Sequence, residues 1–148
     1  MSVFADSSAL VKLYADEVGH EVIRAIRTQL IVSQLARVEV PSAIWRKQRM
    51  RHLPAEDAAL LVSEFEFDMF GSEHEAPRFV TVMPTPAILD DAARLAAIHG
   101  LRAYDAVQLA SARIARTAAA ACNTVAAFDR DLRRAAAAEA FSLVPGAL

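Results

Sequence analysis

Five short apolar runs, spaced by stretches of helical periodicity, set the main limit on what this chain can fold into. Val3-Phe4-Ala5, Ile31-Val32-Ser33, Phe79 to Met83, Thr124 to Ala127 and Phe141 to Val144 are each too brief for a helix, and most are rich in β-branched or aromatic residues. Between them apolar residues recur at three- and four-residue spacing: Leu10, Leu13 and Tyr14; Val22, Ile23, Ile26 and Leu30; Ala58, Leu61, Val62, Phe65 and Met69. Helices are therefore predicted over 8–14, 21–30, 35–50, from Pro54 through Met69, over 85–100, 103–119 and 132–140. Pro41 is expected to start, kink or divide the third of these, Thr85-Pro86 to open the fifth and Gly100 to end it. The order is β-α-α-β-α-α-β-α-α-β-α-β. Strands joined through helices pair in parallel by right-handed crossovers. The predicted fold is a three-layer α/β sandwich of about five short parallel strands. No internal repeat or linker divides it, so residues 1–148 are read as one domain.

Composition agrees. The 148 residues can bury one ordinary core, and 55% hydrophobic against 23% charged residues exclude a disordered chain. Thirty-two alanines with only 7% aromatics suit closely packed helices. Four glycines and six prolines are too few turn residues for an all-β fold. A net charge of -2 gives no overall basic footprint. Locally, residues 52–77 hold seven acids and no Lys or Arg, while Arg46, Lys47, Arg49 and Arg51 crowd together. Cys122 is the only cysteine, which excludes an internal disulfide and a CxxC motif. No secretory signal is legible at the N-terminus, and no apolar run reaches the roughly 18 residues of a membrane span. A cytoplasmic setting without a membrane is expected.

In open parallel sheets, sites form beyond the carboxyl ends of the strands. Asp6 ends the first run, Asp129 follows the fourth, and Asp105 and Glu39 fall in the first turns of predicted helices. Four carboxylates with no His or Cys cluster make a hard-oxygen site, suited to Mg²⁺ or Mn²⁺ over Zn²⁺. Each acid also has an ordinary structural use. Asp6 and Asp129 suit helix N-caps, with Asp131 competing for the second. Asp105 suits a helix dipole, and Glu39 a surface pair with a nearby Arg. The histidines His20, His52, His74 and His99 form no metal motif. Ser7 and Ser8 lack a GxSxG elbow, and no P-loop or GxGxxG is present.

The segments around the acids resemble the PIN-domain nucleases, above all the VapC-like toxins. Val3-Phe4-Ala5-Asp6-Ser7-Ser8-Ala9-Leu10-Val11-Lys12-Leu13-Tyr14 is similar to the family's opening. Val32-Ser33 through Arg37-Val38-Glu39-Val40-Pro41-Ser42-Ala43 is similar to its second motif. His99-Gly100-Leu101-Arg102-Ala103-Tyr104-Asp105-Ala106-Val107-Gln108-Leu109-Ala110 is similar to the third, and Phe128-Asp129-Arg130-Asp131-Leu132 to the fourth. The resemblance implies strand order 3-2-1-4-5 and endonucleolytic RNA cleavage at a Mg²⁺ or Mn²⁺ site. Asp6, Glu39, Asp105 and Asp129 match the family acids; Asp6 and Asp105 are the expected direct ligands. In-line attack by water would leave 5′-phosphate and 3′-hydroxyl ends. The resemblance also implies a VapB-like antitoxin and a homodimer. Many members carry Ser or Thr two residues before the fourth acid, where this chain has Ala127, so Asp129 is expected to be held less firmly. Backbone contacts to RNA are expected from Arg102, Arg130 and the cluster containing Arg46 and Arg49.

Two other classes fit less well. Aspartyl-phosphate phosphatases need DxD, and Ser8 occupies the second Asp position. A receiver-like module needs an Asp at the third strand end, which here runs into Pro84. A housekeeping RNA-processing nuclease or a catalytically weak PIN binding module stays open beside the toxin reading.

Overall fold

The computed structural model describes residues 1–148. The elements are β1 (Ser2–Ala5), α1 (Ser7–Tyr14), α2 (His20–Arg24), β2 (Gln29–Ser33), α3 (Ala36–Arg49), α4 (Ala55–Phe70), β3 (Val80–Val82), α5 (Pro86–His99), α6 (Ala103–Ala118), β4 (Thr124–Ala126), α7 (Arg130–Ala138) and β5 (Ser142–Val144). The strands form one sheet in the order β3-β2-β1-β4-β5, every neighbouring pair parallel. Element order and strand order are those expected from the sequence.

Period-two alternation along the strands divides the core. Phe4, Ile31 and Val125 face α5, α6 and α7, with Leu95, Leu109, Leu132 and Phe141. Val3, Ala5, Leu30, Val32 and Ala126 face the other way, towards α1, α3 and α4, with Leu10, Val40, Ile44 and Phe65. Central β1 is buried along its whole length. On α6 the buried Ala106, Ala110, Ala112 and Ala115 leave room for close helix and sheet approach, which accounts for the alanine-rich composition.

Two local expectations change. The helix predicted over 21–30 stops at Arg24, because Leu30 pairs with Val3 in the β2–β1 ladder and is buried as a strand residue. Pro41 neither starts nor divides α3, which runs unbroken from Ala36 to Arg49. The carbonyl that Pro41 leaves without a helical donor belongs to Arg37, an exposed position that water can serve. Gly100 ends α5 as predicted, at φ +66°. Gly19, at φ +86°, lets the α1–α2 turn approach Phe128: a Cβ there would lie 2.5 Å from the ring.

Candidate active site

The four acids arrive at one rim because each follows a strand end or opens a helix there. Asp6 comes directly after β1, and its N–H donates to the Ala126 carbonyl of β4 at 3.0 Å. It therefore sits at the seam where the strand order switches sides of β1. Its backbone is extended, and Oδ1 caps α1 by accepting the Ala9 N–H at 3.0 Å. The Ser8 hydroxyl faces both carboxylate oxygens, at 2.7 and 2.9 Å. Asp6 is only 4% exposed. Burial pushes its carboxyl up to about 7; the bonds from Ser8 and Ala9 oppose this and the nearby Glu39 adds to it.

Glu39 lies in the first turns of α3 and is half-buried. Its Oε1 accepts from Gln108 Nε2 at 2.7 Å and from Ser7 Oγ at 3.1 Å. Gln108 Nε2 also donates to Ser7 Oγ at 3.2 Å. One polar knot thus joins α1, α3 and α6. Gln108 is 2% exposed, and its Oε1 has no hydrogen-bond partner. A buried amide oxygen in that state calls for a donor, such as a bound water.

Asp105 precedes Gln108 by one turn of α6. Its carboxyl is held above the usual range, first by burial and then by Asp129, with Glu39 and Asp131 adding and Arg102 opposing. Asp129 caps α7, its Oδ1 accepting the Leu132 N–H at 2.9 Å. Asp6 and Asp129 thus fill the helix-capping use foreseen for them, while Glu39 makes no pair with an Arg and is held by Ser7 and Gln108 instead. Repulsion runs from Asp6 to Glu39, from Glu39 to Asp105, and from Asp105 to Asp129. The positive N-terminal ends of α1, α3, α6 and α7 offset part of it.

The donor set suits a hard divalent cation, since every free ligand atom at the rim is oxygen. No three acidic side chains are grouped tightly enough to close around an ion. One or two carboxylates with water in the remaining positions fit the rim better, and Mg²⁺ is ordinarily bound that way. A cation would also relieve the cost of ionising buried Asp6.

The segment that leads into Asp129 is held without a hydroxyl at position 127. Ala127 is fully buried in the apolar layer facing α7. The strand exit is secured by other groups. Ser8 Oγ accepts the Phe128 N–H at 2.9 Å, and buried Arg133 donates to the Ala127 carbonyl at 2.9 Å and the Pro145 carbonyl at 2.8 Å. Lys12 Nζ lies 4.3 Å from the Phe128 ring centroid, over its face. Lys12 is itself tied to Glu17, which also pairs with Lys47 of α3.

The basic candidates divide. Arg102 is exposed at the start of α6 and acts on Asp105. Arg130, also exposed, opens α7 directly after Asp129. Arg46 lines a cleft of about 500 Å³ that also contains Glu39 and Tyr104. Arg49 is exposed at the end of α3 and does not line that cleft. Of the histidines, only His52 borders it. Ser7, Ser8 and Gln108 were not foreseen as site residues. The signal was their spacing: two hydroxyls beside Asp6, and an amide three positions after Asp105 on one helix face.

A parallel sheet ordered 3-2-1-4-5, covered by helices on both faces and carrying four acids at its carboxyl rim, defines an α/β protein with an oxygen-donor site at a topological switch point. The PIN domain profile matches residues 3–138, and the chain belongs to that family. Among solved structures it is similar to the VapC20 toxin of Mycobacterium tuberculosis, described as cleaving the sarcin–ricin loop. The TM-score is 0.62 at 16% identity, covering 90% of this chain and 94% of that one. It is also similar to FitAcB from Neisseria gonorrhoeae, with TM-score 0.58 at 19% identity, covering 91% of this chain and 93% of that one. At those identities the likeness is one of fold. No curated protein sequence matches the chain.

Proposed function

We propose that the chain acts as one PIN domain and is a Mg²⁺- or Mn²⁺-dependent endoribonuclease of the VapC-like toxin type. The observation that carries this reading is the meeting of Asp6, Glu39, Asp105 and Asp129 at the carboxyl rim of a PIN-family sheet. Asp6 and Asp105 would hold the cation, with Glu39 and Asp129 completing the shell through bound water. The bound cation supplies positive charge to the scissile phosphate and acidifies a water. Gln108 and Ser7 fix the Glu39 carboxylate through Oε1, leaving Oε2 without a hydrogen-bond partner in the protein. Ser8 holds Asp6 in one orientation. Arg102 and Arg130, flanking the rim, are placed to take the RNA backbone.

A toxin of this kind needs a restraint, and a VapB-like antitoxin is the proposed partner. Its tail would bring an Arg or Lys to the four carboxylates in place of the cation's charge. Val40, Ile44, Ala58, Phe65 and Met69 are spent on the core and unavailable to it. Leu60 and Phe67 of α4 stay exposed beside clefts of about 490 and 470 Å³ against α1, and supply apolar surface for such a tail. A homodimer is proposed on the family resemblance, and the reading places the protein in the cytoplasm. No helix is long and apolar enough to cross a membrane.

The deciding experiment pairs RNA cleavage with growth. Purified protein should cut RNA with Mg²⁺ or Mn²⁺ and stop with EDTA. Expression should slow growth, and Asp6→Asn should not. Cleavage that survives EDTA removes the metal mechanism. Cleavage in vitro with harmless expression favours a housekeeping RNA-processing nuclease instead.

A further inference from the structure

Lys12 of α1 is a buried charge that the four acids do not use; it is 7% exposed. Burying an ammonium costs free energy that an apolar side chain of the same length would avoid. Two groups answer it. Nζ donates to Glu17 Oε2 at 2.8 Å, and it stands over the face of the Phe128 ring. Burial works against the Glu17 charge, but the bonds from Lys12 and Lys47 outweigh it and hold that carboxyl below its usual range. The ammonium therefore meets a carboxylate that stays ionised, and its place beneath the ring is set.

Phe128 is gripped from three directions. Its N–H donates to Ser8, its ring face meets Lys12, and its ring edge abuts Gly19. Residues 127–129 belong to neither β4 nor α7, so anchors of this kind decide their course. The next residue is Asp129, whose Oδ1 is committed to capping α7. Glu17 also pairs with Lys47, about two turns after Glu39 along α3. The series Lys47, Glu17, Lys12, Phe128 thus joins the helix that carries Glu39, the helix that Asp6 caps, and the segment that presents Asp129. A mere brace for the turn between α1 and α2 would need the Lys12–Glu17 pair alone, and no ring above it.

We propose that Lys12 is a positioning residue for Asp129: its ammonium, pinned by Glu17, holds the Phe128 ring and so keeps the adjoining carboxylate in register with Asp6 and Glu39. The inference rests on the nuclease reading and adds to that site a residue bonded to none of the four acids.

The test compares Lys12→Met, which keeps an unbranched side chain and removes the charge, with Lys12→Arg, which keeps the charge. The first readout needs neither metal nor RNA. With para-fluorophenylalanine at position 128 and EDTA present, the fluorine resonance should shift and broaden in Lys12→Met and return in Lys12→Arg. The second readout is RNA cleavage with Mg²⁺. Lys12→Met should lower kcat about tenfold at unchanged KM, and Lys12→Arg should recover most of it. Phe128→Leu should lose a similar factor, and adding Lys12→Met to it should cost little more, because the ring through which Lys12 acts is already gone. An unmoved resonance, an unchanged kcat with only Tm lowered, or losses that multiply in the double variant overturns the proposal. So does a KM increase at constant kcat, which would make Lys12 an RNA contact. If Lys12→Met does not fold, Phe128→Leu decides: full kcat without the ring overturns the proposal. The nuclease reading fails separately, when the wild-type chain with Mg²⁺ cuts no RNA although the resonance still responds to Lys12→Met.

Discussion

Ser8 and Phe128 lie 120 positions apart in the chain, and the Phe128 N–H donates to the Ser8 hydroxyl at 2.9 Å. The same hydroxyl faces both oxygens of Asp6. One small side chain therefore sets the spacing between the first acid and the strand exit that presents the fourth. Ser8→Ala should leave the Phe128 N–H unpaired and cost about 1–3 kcal/mol of stability. It also removes a bond that favours ionised Asp6, so the acid limb of the cleavage pH profile should move to higher pH. A loss of stability with an unmoved limb would mean that Ser8 only braces the fold.

Asp6 makes the cation-free protein sensitive to pH. Its carboxyl ionises near 7 when folded, against 3.8 for the ordinary group. Between those values the native chain keeps a proton that the unfolded chain has lost, so this group's contribution falls as pH rises through the window. Asp6→Asn in EDTA should therefore be more stable than wild type above pH 7, by on the order of 2–4 kcal/mol, and no more stable near pH 4. Urea unfolding across that range measures the difference. An Asn variant less stable at every pH would assign Asp6 a purely structural part.

Divalent cation should reverse that penalty. Mn²⁺ or Mg²⁺ at about a hundred times its dissociation constant should stabilise the fold by about 2.7 kcal/mol. The gain in Tm should be larger above pH 7, where Asp6 is ionised, than at acidic pH. Calorimetry should show Mn²⁺ binding weakened in both Asp6→Asn and Asp105→Asn. Unchanged heats in both variants would move the ion away from these residues.

Gln108 is a positioning residue whose effect passes through Glu39. Gln108→Leu keeps the volume and removes the donor. It should lower kcat about 10–100-fold with little change in KM, as loss of an orienting partner does. Gln108→Asn, one methylene shorter, should recover less than Gln108→His, which keeps a donor at longer reach. A KM increase at constant kcat would instead make Gln108 an RNA contact.

Gly19 is constrained both by its backbone and by Phe128. Gly19→Ala must hold a positive φ and displace the ring, and should cost about 1–3 kcal/mol. Because Phe128 adjoins Asp129, activity measured well below the melting temperature should fall as well. Activity intact with only Tm lowered would separate the Phe128 ring from the site.

Much of this architecture was already legible in local patterns. Period two and period 3.6 are written residue by residue, so the five strands and seven helices, and the start of α5 at Pro86 and its stop at Gly100, follow from neighbours in the chain. Parallel pairing follows from the helices between strands, and the acids announce themselves at strand ends and in helix first turns. The signal failed where two periods overlap. Ile26 and Leu30 satisfy helical spacing, and only the pairing of Leu30 with Val3 settles that residue as strand.

Tertiary structure decided everything that depends on distant partners. Asp6 carries a carboxyl near 7 because strands and helices remote in sequence exclude water from it, and burial has no local code. Ala127 lacks a hydroxyl, yet Ser8 and Arg133 hold the segment to which it belongs, one from 119 positions before it and one from the following helix. Gln108 reaches Glu39 across 69 positions, a contact that no spacing rule foretells. Sequence sets periodicity and chemistry because those are properties of neighbours. The geometry of the acids and the hydroxyls and amides that orient them exist only once the chain has folded back on itself.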